Sequence, residues 1–330
     1  MSDDLMEIFQ QGIIEAANDM AEQGVSEQVI EERIFKNLNT SLYELVKTSA
    51  NDTVDFFKQH MYEIELEERA NAAEFLARQE QKWGKCFAAS QAMYTMAVES
   101  AELYSNYVIN EIEDDVFLEK QFTFLALQHI QGRACQEFLE ILVLMREGFA
   151  DGAYARWRSM FELSCVATFI VKYGEKTAKL YYEQSETENK KFSWAAEALN
   201  KKKPTFKDIQ DDCDLDPAWS NQYKLACFVN HASPQGTFKR LANGPAMSES
   251  LHQIIPVGRS DYGIDVPAEH SAISLQLITI QFLMLFPHTD SRSRVLVLYK
   301  WVEVIRELYF TTHEKVFGES VVGQKETERS

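Results

Sequence analysis

Apolar residues recur at intervals of three and four along most of the chain, which predicts helices rather than strands. In 119–147, Phe122, Leu125, Ile130, Phe138, Ile141, Leu142 and Met145 fall at mostly helical spacings, with Arg146 in the last turn and Gly148 as the stop. Asp151 and Gly152 predict a turn, and the helix that follows runs to Tyr173 and Gly174. The second arm of this helical hairpin is apolar nearly all round, so it belongs at the centre of the core. Further amphipathic helices are predicted over 219–231 and 294–317. The stretch 271–286 is strongly apolar but carries Gln276 and Gln281 and ends at Pro287, short of the roughly 20 residues that a bilayer crossing needs, so it reads as a buried helix.

Upstream, 4–38 predicts two short amphipathic helices broken near Gly24, with Ser26 as N-cap and Ile30, Ile34 and Leu38 on one face. From 53 to 108 the chain is nearly free of breakers, and its Glu-, Ala- and Arg-rich part, 63–78, predicts a long solvent-facing helix. Residues 175–216 are polar and predict a helix, a loop and a short helix. Four of the seven prolines lie in 232–268, which predicts one long irregular connection. The expected architecture is an all-α multi-helix bundle with an N-terminal helical extension, divided into 1–110 and 111–330.

Composition narrows the function classes. At 45% hydrophobic and 25% charged, the chain has the balance of a soluble globular protein. A net charge of −18 opposes passive adhesion to nucleic acid or anionic membrane, leaving only a local basic site for nucleic acid. The cysteines (Cys86, Cys135, Cys165, Cys213, Cys227) are odd in number, widely spaced and mostly within apolar runs, which suits free thiols in a reducing compartment. The acidic start of the chain lacks a secretory layout, so the expected location is cytoplasmic.

Candidate chemistry centres on the second arm of the hairpin. Glu162 opens an otherwise uncharged apolar run, where an unpaired carboxylate carries a large desolvation cost. Arg158 lies one turn earlier on the same face and is its natural partner. Arg156, two residues from Arg158, diverges from it by about 160° around the helix, so the two do not serve one small anion. His231 falls at a predicted helix C-terminus, where the dipole favours a protonated ring, and makes the third member of a candidate catalytic set with Arg158 and Glu162.

Other chemistries have little support. The histidines are scattered, the lone Glu-x-x-His spacing from Glu249 to His252 lies in the proline-rich loop, and no metal is expected. No glycine-rich phosphate loop occurs and no cofactor is expected. Arg306 to His313 fits the Arg-to-His spacing of many small helical ribonucleases, but chance alone supplies roughly one such match.

The helix containing Arg158, Ser159, Met160, Phe161 and Glu162, followed downstream by Val229, His231, Ser233 and Pro234, resembles the bacterial and archaeal family catalogued as domain of unknown function 5677. This chain departs from the family pattern by placing Asn230 between Val229 and His231. The resemblance, over about 120–290, implies a helical fold and no established activity.

Two functional expectations follow. One is a metal-independent hydrolase or nuclease of a stress or antiviral defence system, with Arg158 stabilising an anion, Glu162 orienting it and His231 as acid or base. The other is a non-catalytic helical interaction or scaffold protein in which Arg158 and Glu162 are a structural pair. The abundance of amphipathic helix, together with the largely uncharged 153–173 arm, also leads us to expect a homodimer formed through an apolar helix face.

Overall fold

Helix periodicity carries over almost everywhere into helix in the computed structural model, which describes residues 2–186, 191–231, 233–238, 241–242 and 257–318. Among the described residues there is no strand. The elements are α1 (Ser2–Glu22), α2 (Glu27–Glu111), α3 (Asp114–Leu118), α4 (Gln121–Arg146), α5 (Ala150–Tyr173), α6 (Glu175–Gln184), α7 (Phe206–Asp212), α8 (Pro217–Asn230), α9 (Pro234–Phe238), α10 (Asp265–Leu283) and α11 (Thr289–Phe317). They form two compact units, Met1–Glu74 and Phe75–Ser330.

In the first unit, Gly24 takes a φ of 77° at the turn after α1, and the Val25 N–H reaches the Met20 carbonyl at 3.1 Å. The expected second short helix proves to be the start of α2, which continues without interruption. Residues 39–52 contain neither glycine nor proline. Thr53 Oγ1 also donates to the Ser49 carbonyl at 2.8 Å within the helix, so nothing there breaks the ladder. Phe9, Ile13, Ala17 and Met20 of α1 and Ile30, Ile34 and Leu45 of α2 are half-buried, and no described side chain before Gln79 is fully buried.

The second unit builds its core from the end of α2 with α4, α5, α10 and α11. Trp83, Phe87, Met93 and Tyr104 of α2 are buried there, so the packing boundary falls at residue 74, whereas helix periodicity divides the chain at 110. Glu175 caps the start of α4, its carboxylate accepting the Phe122 N–H at 2.8 Å and the Thr123 N–H at 3.0 Å. The α4–α5 turn forms at 147–149, earlier than expected. Gly148 holds a φ of +79° with its carbonyl accepting the Ser260 N–H at 3.0 Å, and Asp151 enters the first turn of α5.

As the sequence implies, α5 is central: Trp157, Met160, Phe161, Cys165, Phe169 and Ile170 are all buried within this unit. Two later helices begin several residues ahead of expectation. Pro267 falls in the first turn of α10, where its missing N–H is harmless. His288 and Ser291 form a capping box that starts α11.

Candidate functional site

Glu162 sits where α5 packs against α8. Its Oε1 accepts the Tyr223 hydroxyl at 2.8 Å and lies 3.5 Å from an Arg158 nitrogen, with the two charged side chains 27% and 23% exposed. Cys227, one turn beyond Tyr223, lies beside Arg158. Burial alone pulls the Arg158 guanidinium downward, but Glu162, Tyr223 and Cys227 outweigh it and hold the pKa above its ordinary value. Tyr223 is pushed up, first by burial and then by the carboxylate it donates to, so it is a neutral donor at physiological pH. Because the pair is partly solvated, the desolvation cost expected for Glu162 is moderate.

The remaining member of the candidate set stands apart. His231 is the C-cap of α8, with its N–H on the Cys227 carbonyl at 3.0 Å and its own carbonyl accepting the Ser233 N–H at 2.7 Å. Its ring is exposed, and no hydrogen bond, ion pair or ring contact joins it to Arg158, Glu162 or another described residue. Thus Arg158 and Glu162 are brought together and His231 is not joined to them. Arg156 does diverge from Arg158: it turns to α4, with nitrogens 2.5 Å from Glu140 and 3.4 Å from Glu137.

Sequence reasoning missed the more deeply buried carboxylate. Glu137 of α4 is 0% exposed, and its Oε1 accepts Arg133 Nε and Ser159 Oγ, each at 3.0 Å. Its Oε2 is buried with no hydrogen-bond partner. The available signal was Arg133, four residues ahead of a carboxylate that abuts Phe138 in the core stripe. One helical turn before Arg133, His129 borders a cavity of about 450 Å³ walled by Leu125, Ala126, Tyr181, Tyr182 and Trp194. Arg133 is close enough to Tyr181 to draw its hydroxyl pKa down, although burial raises it overall.

The other titratable groups serve packing. His313 Nδ1 lies 3.2 Å from Asp265 Oδ1 in the core, and Arg306 Nε is 2.6 Å from Glu269, so the two residues of the ribonuclease-like spacing have separate partners. Burial holds His270 below its ordinary pKa, with Nδ1 on the Val266 carbonyl at 2.8 Å and its ring 4.9 Å from that of Trp157. Among the described residues, no group of three or more His, Cys, Asp or Glu side chains is placed to hold a metal. Glu249 and His252 lie outside the described residues.

The conjunction of α4, α5 and α6 around one buried carboxylate and one aromatic-walled cavity is the part of the fold that a comparison with known proteins picks out. Residues 124–203 match the model of a family of unknown function (DUF5677). The matched segment includes Glu137, Arg158, Glu162 and every residue walling the cavity, whereas Tyr223 and His231 fall outside it. No curated protein and no solved structure matches the chain. No helix among the described residues is long and apolar enough to cross a membrane.

Proposed function

We propose that this protein is a non-catalytic helical interaction protein in which Arg158 and Glu162 are a structural pair on α5, tied to α8 through the Tyr223 hydroxyl. The observation that carries this reading is the closed network at Glu162 Oε1, which is shared by the Tyr223 hydroxyl at 2.8 Å and Arg158 at 3.5 Å. An acid–base mechanism needs a proton carrier within reach of the reacting group, and the exposed His231 ring has no contact with the pair. The five free cysteines, four of them buried, fit work in a reducing compartment such as the cytoplasm.

A double-mutant cycle tests the pair. Arg158→Met and Glu162→Gln together destabilise less than the sum of the singles, with a coupling of about 0.5–1 kcal/mol, at the low end because both groups are partly solvated. Additive losses sink the structural pairing. Hydrolysis of RNA, nucleotides or simple esters by the purified chain, abolished by His231→Ala without loss of folding, overturns the non-catalytic reading.

A further inference from the structure

The first unit leaves an unusual amount of apolar surface open. Phe35, Leu42, Tyr43, Val46, Val54, Phe57 and Met61 of α2 are between 37% and 82% exposed. At 100° per residue they fall within an arc of about 120°. The half-buried Ile34 and Leu45 lie outside that arc, and the half-buried residues within it, Thr53 and His60, are covered by their own helix through the Ser49 carbonyl and the Phe56 ring. Isolated exposed apolar residues need no explanation, but seven on one helical face over 27 residues mark an interaction surface.

We infer that a second copy of this chain covers that stripe, with the two α2 helices antiparallel and centred on residues 48–50. Two features select this occupant. The spacing accommodates a two-fold axis at the middle of the stripe: about position 48 it pairs Phe35 with Met61 and Leu42 with Val54, and about position 50 it pairs Tyr43 with Phe57 and Val46 with Val54. A two-fold axis there sets apolar residues of the stripe level with one another across the two copies, as an isologous interface requires.

The area is also sufficient. With about 150–250 Å² for each large side chain, scaled by the observed exposures, the stripe offers about 700 Å² per copy. Complete burial of the stripe on both copies removes at most about 1,400 Å², within the roughly 1,200–2,000 Å² of stable interfaces.

Charge sets the direction. A parallel pairing places Glu63, Glu65, Glu67 and Glu68 of both copies side by side, where like charges repel. The antiparallel arrangement separates the two Glu65 positions by about 50 Å at 1.5 Å per residue. The inference deepens the interaction reading by naming the partner, and it fails separately: loss of the dimer leaves the Arg158–Glu162 cycle unchanged.

The test uses the full chain. Light scattering is expected to give twice the 38.0 kDa chain mass at micromolar concentration. The variant Val46→Asp with Phe57→Asp is expected to return it to 38.0 kDa with the helical circular dichroism signal unchanged. A spin label on Glu65→Cys, in a Cys227→Ser background that removes the one cysteine not fully buried, is expected to report a distance of about 50 Å between copies. A monomeric parent overturns the proposal, including one that pairs only with an added basic helical partner, and so does a double variant that stays dimeric. A label separation below about 20 Å overturns the antiparallel arrangement, since in-register parallel helices sit about 10 Å apart.

Discussion

Replacing Glu137 with alanine tests how much of the second unit hangs on one buried carboxylate. The general cost of breaking a buried ion pair, about 3–5 kcal/mol, comes mostly from the charge left behind. Here the side chain of Arg133 is 63% exposed, and Arg156 keeps Glu140 at 2.5 Å, so both guanidiniums stay solvated or paired. What is lost is the charge-assisted hydrogen bond from Ser159, about 1.5–3 kcal/mol, a solvent-screened one from the exposed Arg133, under about 1 kcal/mol, and about 1 kcal/mol of packing from the removed side chain. The expected destabilisation is therefore about 3 kcal/mol, or about 6–12 °C in Tm for a unit of this size.

Glu137→Gln keeps an acceptor for Ser159 but sets an amide N–H₂ where Oε2 has no partner, so it recovers about half of the loss. Glu140→Ala, on a side chain 39% exposed, costs under about 1 kcal/mol. All five tryptophans lie in residues 75–330, so intrinsic fluorescence follows this unit alone. A Glu137→Ala melt within about 2 °C of the parent, or a Glu140→Ala loss of equal size, refutes the reasoning.

Gly148→Ala forces a Cβ to within 2.5 Å of the Phe75 ring and 2.9 Å of the Ser260 carbonyl at a φ of +79°. A loss of about 1–3 kcal/mol in urea unfolding is expected, and a neutral result removes the glycine requirement. Burial keeps His270 neutral by lowering its folded pKa, so its contribution is fully present above the unfolded value of about 6.5 and is lost as pH falls below it. The urea midpoint should drop between about pH 7 and 5, and a slope unchanged in His270→Gln assigns the drop elsewhere. Asp208 is held down to about 2, first by Lys201 and then by Thr205 in the capping box of α7. Its contribution is present above the ordinary carboxylate range and fades as pH falls through about 2, and an acid limb of the stability curve unaltered in Asp208→Asn contradicts this.

Local signals carried most of the fold. The helices over 119–147 and up to Tyr173 were legible because stripes, a stop glycine and a turn agreed with one another. The errors arose where the signal was weak or double-edged. Asn39, Thr40 and Ser41 have poor helix propensity, yet without glycine or proline they add too little cost to end α2. Pro267 reads as loop in a proline-rich stretch, but in the first turn of a helix it is tolerated, so α10 starts ahead of the apolar run. Nothing in helical periodicity marks where tertiary burial begins, and a helix that runs through position 74 therefore carries no sign of the boundary there.

The site was legible only in the pairs that one helix makes with itself. Arg158 and Glu162 are a turn apart on α5, so their contact follows from helical geometry before any packing is known. Tyr223 comes to the same carboxylate from a separate helix, 61 residues later in the chain, a proximity no local pattern specifies.

Glu137 and Glu162 show the limit most clearly. Both are single carboxylates in apolar surroundings with an arginine four residues ahead, and sequence alone ranks Glu162 as the more buried because its flanks are less charged. Burial is decided instead by which neighbours close over the side chain. Ser159 and Arg156 of α5 cover Glu137, while Glu162 lies at the margin of the α5–α8 contact and keeps 23% of its side chain in solvent. Of the two, Glu137 is thus the carboxylate whose loss the fold cannot relieve with water.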